Sequence, residues 1–179
     1  MKLKQLTVFL CICILTALTL AGCGDDNTNS GTPNNSGNVS TDNKGGKGYV
    51  FKAKGVEISV DMDMSTIEEK LGETVSYFEE PSCAAQGTAR LFTYSGFEID
   101  TYPDGEKDLV GYIILKDDTV ATPEGIDLSK TKADVIKAYG EDYKENGTAL
   151  VYERGGMKLS FIMDGDNISS IQYSSSVMD

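Results

Sequence analysis

The stretch Ile58-Ser59-Val60-Asp61-Met62-Asp63-Met64-Ser65-Thr66-Ile67-Glu68-Glu69-Lys70-Leu71-Gly72-Glu73 recurs 68 residues later, without a gap, as Ile126-Asp127-Leu128-Ser129-Lys130-Thr131-Lys132-Ala133-Asp134-Val135-Ile136-Lys137-Ala138-Tyr139-Gly140-Glu141. Ile58 and Val60 match Ile126 and Leu128, the period-two alternation of a short strand. Asp63 and Thr131 are competent helix N-caps. Ile67 and Leu71 match Val135 and Tyr139, an i, i+4 pair that lines one face of a helix. Gly72 and Gly140 stand where a glycine beyond the last turn takes a positive φ. Each copy therefore begins with a strand and a two-turn helix, too short to stand without packing.

Working outward, Leu91-Phe92-Thr93-Tyr94 matches Ala149-Leu150-Val151-Tyr152 at offset 58. Glycine turns follow at Ser95-Gly96 and Gly155-Gly156. Phe97 to Tyr102 and Met157 to Phe161 then alternate with period two, and Asp104-Gly105 and Asp164-Gly165 read as hairpin turns. The last strands are Val110 to Leu115 and Ile168 to Tyr173. The pattern predicts an α+β fold of two tandem units, each a short helix plus an antiparallel β-meander, over about 56–115 and 126–173. Tyr49 to Ala53, followed by Lys54-Gly55, reads as an added edge strand.

The fall in offset from 68 to 58 leaves the first copy about ten residues longer, near Glu79 to Thr88. An insertion in one of two copies is a feature the fold does not need. It carries Cys83, for which three readings stand: a small buried hydrophobe, a pairing thiol toward another protein or a second copy, or a reactive thiol. Glu79 and Glu80 beside it work against the third. The repeated Tyr94 and Tyr152 read as core or sheet-edge residues, whereas Tyr102, Tyr112 and Tyr173 are candidates for an exposed sheet face suited to protein recognition. Asp164 to Asn167 lacks the spacing of a calcium loop. The acids Asp61, Asp63, Glu68 and Glu69 suit a solvated helix start.

The 179 residues include 28 acidic and 16 basic side chains, a formal net charge of −12. Such a field repels phosphate, so nucleic acid is not an expected partner. The chain has no His, which excludes Ser-His and Cys-His dyads and His-ligated metals. No catalytic, metal-binding or cofactor residues are assigned.

At the N-terminus, Lys2 and Lys4 precede an apolar run from Leu6 to Leu20, short of the ~20 residues that span a bilayer. It ends in Leu20-Ala21-Gly22-Cys23, which resembles the bacterial lipobox, and that resemblance implies cleavage before Cys23 and acylation of its thiol. Residues 1–22 are thus expected to be a lipoprotein signal peptide, residues 23–48 the lipidated Cys and a linker, and residues 49–179 the folded domain. Removing Lys2 and Lys4 leaves a mature net charge of −14. The linker is rich in Gly, Asn, Ser and Thr, and Val39 is its only aliphatic side chain, so it has little apolar surface to bury.

Tandem units of short helix and meander on an exported chain resemble the beta-lactamase-inhibitor-protein-like fold, and a single unit is similar to small outer-membrane-assembly lipoproteins of the SmpA/OmlA type. Ser82-Cys83-Ala84, Phe97-Glu98-Ile99-Asp100-Thr101-Tyr102 and Thr122-Pro123-Glu124-Gly125-Ile126 look like phrases of uncharacterised lipoproteins from anaerobic Gram-positive bacteria. The chain departs from the inhibitor family in having one recognisable helix per unit and in lacking that family's Cys pairs. The expected function is that of a non-catalytic protein-binding module. It would be anchored by acyl chains on the extracytoplasmic face of the cell membrane and turned toward an envelope or extracellular protein. The alternatives are inhibition of an extracellular hydrolase such as a beta-lactamase, by fold analogy, or a His-free carboxylate hydrolase.

Overall fold

Alternation of apolar and polar residues is cleanest at Phe97–Asp104 and Met157–Asp164, and both form long strands at the heart of one sheet. The computed structural model describes residues 48–83 and 86–178. In chain order they form β1 (Phe51–Ala53), β2 (Val56–Ile58), a 3₁₀ turn (Met64–Thr66), α1 (Glu68–Leu71) and β3 (Ser76–Pro81). Next come β4 (Thr88–Tyr94), β5 (Phe97–Asp104), β6 (Lys107–Leu115), α2 (Lys132–Tyr139) and β7 (Lys144–Asn146). The chain closes with β8 (Ala149–Arg154), β9 (Met157–Asp164), β10 (Asn167–Ser175) and a 3₁₀ turn at Ser176–Met178.

Strands β3 to β10 make a single eight-stranded antiparallel sheet in the order β3-β4-β5-β6-β10-β9-β8-β7. The order is symmetric about its middle. At the seam Ile113 pairs with Tyr173, and these are also equivalent residues of the β5–β6 and β9–β10 hairpins, whose turns are Asp104-Gly105 and Asp164-Gly165. A local two-fold axis through that pair turns one four-stranded half onto the other.

This arrangement corrects the expected α+β fold of two helix-plus-meander units. The described residues are 50% strand and 14% helix, and the sheet is one body. The reason is local. Ile67 stands as the N-cap of α1 with no side-chain hydrogen bond, and the segment splits into a 3₁₀ turn capped by Asp63 and four α-helical residues. Of the two α-helices among the described residues, only α2, with eight residues, has a full capping box, between Thr131 and Asp134. The expected edge strand at Tyr49 to Ala53 is corrected too. Phe51–Ala53 pairs with Val56–Ile58 in a separate two-stranded ribbon, turned by Lys54 and Gly55 at φ 51° and 79°.

One face of the sheet is covered. Phe51 from the ribbon sits against Phe97 at 5.1 Å and Tyr173 at 6.0 Å between ring centroids. Met64, Ile67 and Leu71 bury over the first half of the chain, and Val135 and Tyr139 over the second, where Tyr139 meets Tyr152 at 5.4 Å and Phe161 at 5.2 Å. The alternate residues of the same strands, among them Glu98, Asp100, Ile114, Ser160 and Gln172, point to the other face and keep partial exposure.

Candidate functional site

The two halves differ most at one hairpin. Ser76 pairs with Thr93 as Lys144 pairs with Val151, and Phe78 pairs with Leu91 as Asn146 pairs with Ala149. Past these pairs the second half closes at once through Gly147 and Thr148. The first half continues from Glu79 to Arg90. The ten extra residues, read from sequence as a loop, lengthen β3 and β4 and add the turn that joins them.

Side chains on the covered side brace the extension. Tyr77 sits 5.0 Å from Phe92 between centroids, and its hydroxyl donates to Glu79 Oε1. Arg90 reaches Glu79 through Nε at 3.2 Å and Asp108 through Nη1 at 2.8 Å. The Arg90 amide donates to Thr101 Oγ1 at 3.1 Å, and the Thr101 hydroxyl donates back to the Arg90 carbonyl at 3.2 Å. The hydrogen bond from Tyr77, followed by that from Arg90, holds the Glu79 carboxyl below its usual range. Bonding to Asp108, then to Glu79, raises the already high pKa of Arg90.

Two clefts flank the hairpin. Beneath the sheet a cleft of about 440 Å³ has Tyr77 and Phe92 as its aromatic wall and Asp63, Glu68, Glu106 and Asp108 as acids, with Arg90 its one cation among the lining residues. On the open face a cleft of about 340 Å³ is lined by Glu80, Cys83, Asp100, Tyr112, Val177 and Met178 among others. Burial, with the nearby charge of Glu80 next, raises the pKa of Asp100. The open-face cleft thus joins two of the expected site residues. Cys83 is exposed at the hairpin tip, which removes the reading of a buried hydrophobe. Tyr112 is half-buried and donates to the Met178 carbonyl at 2.9 Å.

The other two expected recognition residues are corrected. Tyr173 is 1% exposed, in the core at the sheet seam, and burial raises its pKa. Tyr102 is also buried. Its hydroxyl donates to Asp61 at 2.8 Å, and its ring lies where a Cβ on Gly111 would meet it at 3.2 Å. Burial first, then bonding to Asp61, pushes Tyr102 up to about 12. A bulge between Asp100 and Thr101 shifts the register at this point of β5. Cys23 lies outside the described residues.

Comparison with protein-family models, with curated proteins and with solved structures gives no match. The site therefore rests on its own chemistry. Among the described residues no group of three or more His, Cys, Asp or Glu is placed to hold a metal ion, and no helix is long and apolar enough to cross a membrane.

What sequence reading missed is the exposed apolar edge. The large apolar side chains left exposed among the described residues are Val75 at 73%, Phe78 at 58%, Val177 at 52% and Tyr77 at 48%. Three of these lie on or beside β3, and Val177 lines the open-face cleft. Ser76-Tyr77-Phe78-Glu79-Glu80-Pro81 has no clean alternation because β3 is exposed along its whole length. The usable signal was the change in offset, which located the hairpin without showing that it was strand.

Proposed function

We propose that this chain is a non-catalytic protein-binding module, lipid-anchored through Cys23 on the extracytoplasmic face of the membrane, whose β3–β4 hairpin is the contact element. The lipobox-like Leu20 to Cys23 behind an apolar run supports the anchor. The observation that carries the binding role is the exposure of Val75, Tyr77 and Phe78 along the edge that leads into the extended hairpin, where the other half has Tyr143, Glu145 and Asn146. Apolar side chains gathered at one exposed place mark interaction sites. The partner is an envelope or extracellular protein, and with a net charge of −14 on the mature chain its contact surface is basic.

A photo-crosslinking amino acid at Phe78, compared with one at Asn146 on the opposite edge, tests this in intact cells. One dominant adduct from position 78 and none from 146 is the expected result. Equal, diffuse labelling from both positions contradicts it.

A second reading draws on the open-face cleft, which brings the carboxylates of Asp100 and Glu80 to one place and buries Asp100 enough to raise its pKa, as a carboxylate general acid requires. Hydrolysis of a cell-wall glycan by the purified chain, lost in Asp100→Asn, would support that reading. Activity retained in the variant would remove it.

A further inference from the structure

The two edges of the sheet are built differently. The β7 edge is three residues long, Lys144-Glu145-Asn146, and two of its side chains are engaged in ion pairs, Lys144 with Glu153 at 2.6 Å and Glu145 with Lys132 at 3.4 Å. Short, charged edges with lysine are how sheets resist further strand pairing. The β3 edge occupies the equivalent place, is not short and has no lysine; its charges are Glu79, paired with Arg90, and Glu80. It is six residues long and carries Tyr77 and Phe78.

Its backbone is also set to pair. The Ser82 amide donates to the Gly87 carbonyl at 3.0 Å, in the same register as Glu80 with Ala89 and Phe78 with Leu91. Antiparallel pairing alternates hydrogen-bonded and non-hydrogen-bonded positions. Ser76, Phe78 and Glu80 therefore point their backbone groups at β4, and Tyr77, Glu79 and Pro81 point theirs outward. Pro81, the residue with no amide hydrogen, falls at an outward position, where proline is tolerated in a sheet. Tyr77 and Glu79 retain outward N–H and C=O groups.

Charge identifies the occupant. Glu79 and Glu80 lie on the strand itself, and Asp63, Glu68, Glu106 and Asp108 line the cleft beneath it. Arg90, the cation among them, is already engaged by Glu79 and Asp108. A second copy would bring a second acidic β3 and a second mature net charge of −14 against the first.

We infer that β3 receives an extended basic strand of a partner protein as a ninth strand of the sheet. The inference rests on the binding role proposed above and specifies its mode. Alternate side chains of the added strand fall on opposite faces. Lysines or arginines on one side lie over the acidic cleft and the Tyr77 ring, and apolar residues on the other lie beside Phe78. Backbone bonds supply affinity and these two side-chain rows supply specificity.

The test uses the full chain and two ten-residue peptides, one alternating Lys with Val and Thr, the other carrying Glu in place of Lys. Fluorescence anisotropy reads affinity, and amide exchange by NMR reads the site. The Lys peptide is expected to bind at least tenfold more tightly than the Glu peptide. It is expected to slow exchange at Tyr77 and Glu79 at least tenfold, and to leave Lys144 to Asn146 unchanged. Phe78→Lys places a guarding charge on an already exposed position, so the fold is kept and a tenfold loss of binding is expected. Absent binding, equal binding of both peptides, or binding without protection at Tyr77 and Glu79 overturns strand addition. Protection of those amides in the chain alone, rising with its concentration, overturns it in favour of self-pairing. A position-78 adduct in cells together with unprotected β3 amides leaves the binding role standing and removes this mode alone.

Discussion

Tyr94 and Tyr152 occupy equivalent positions in β4 and β8, yet only Tyr152 has a bonded hydroxyl, donating to the Gly140 carbonyl at 2.8 Å beyond the end of α2. The Tyr94 hydroxyl is buried without a partner. In the first half the end of α1 is served by Lys54, whose ammonium donates to the Leu71 carbonyl at 2.7 Å and sits 5.1 Å from the Tyr94 ring centroid. A buried unpaired hydroxyl costs free energy, and a satisfied one contributes about 1 kcal/mol. Tyr152→Phe is expected to lose about 1 kcal/mol, and Tyr94→Phe to be neutral or stabilising. Urea unfolding of the two variants reads the difference. Equal losses would contradict the assignment of partners.

Gly96 turns β4 into β5 at φ 87°, and a Cβ there would meet Thr119 Oγ1 at 2.6 Å and Val120 Cγ1 at 2.9 Å. Gly165, between β9 and β10, has φ 62° and open space around it. Gly165→Ala meets backbone strain alone, about 1–2 kcal/mol. Gly96→Ala adds a steric clash and is expected to cost at least about 1 kcal/mol more. Thermal melts of both variants test the order. A Gly96→Ala chain as stable as Gly165→Ala would mean that the 117–120 segment gives way freely.

Asp134 and Asp100 are expected to move stability with pH in opposite directions. Thr131 bonds hold the Asp134 carboxyl below its usual range. Its contribution is therefore present above the ordinary carboxylate pKa and is lost as pH falls through the depressed folded value. The stability gap between the native chain and Asp134→Ala should be constant near pH 7 and close below about pH 4. Asp100 is raised by burial, so its contribution is full at low pH and shrinks as pH rises through its folded value. Asp100→Asn is expected to stabilise at pH 7, by less than about 1 kcal/mol given its part exposure, and the gain should vanish on acidification. Unfolding midpoints from pH 3 to pH 7 check both slopes.

The parts of the fold legible in the sequence are those where burial on one face imposes a period. Phe97 to Tyr102 and Met157 to Phe161 are such stretches, and the turns at Asp104-Gly105 and Asp164-Gly165 stand where sequence reading puts them. Thr131 and Gly140 bound α2 for the same kind of local reason. What was not legible depends on partners far along the chain. The edge strands β3 and β7 are exposed on both faces and have no period to read. Tyr173 shares the face of Ile171 in β10, and that face is closed by Phe51 of the ribbon at 6.0 Å between ring centroids, a contact from far along the chain. Tyr102 alternates correctly in sequence and is buried by a bulge and by the missing side chain of Gly111.

The most direct test of the hairpin as contact element is to replace Ser76 through Arg90 by Lys-Glu-Asn-Gly-Thr, the edge and two-residue closure found from Lys144 to Thr148 in the other half. The sheet carries a hairpin of that length at its β7 edge, so the shortened chain has a folded precedent in the same molecule. Crosslinking in intact cells, read by mass spectrometry, then compares it with the native chain. A folded, membrane-attached variant that has lost the dominant adduct is the predicted result. The same adduct at undiminished yield from a folded variant would contradict it.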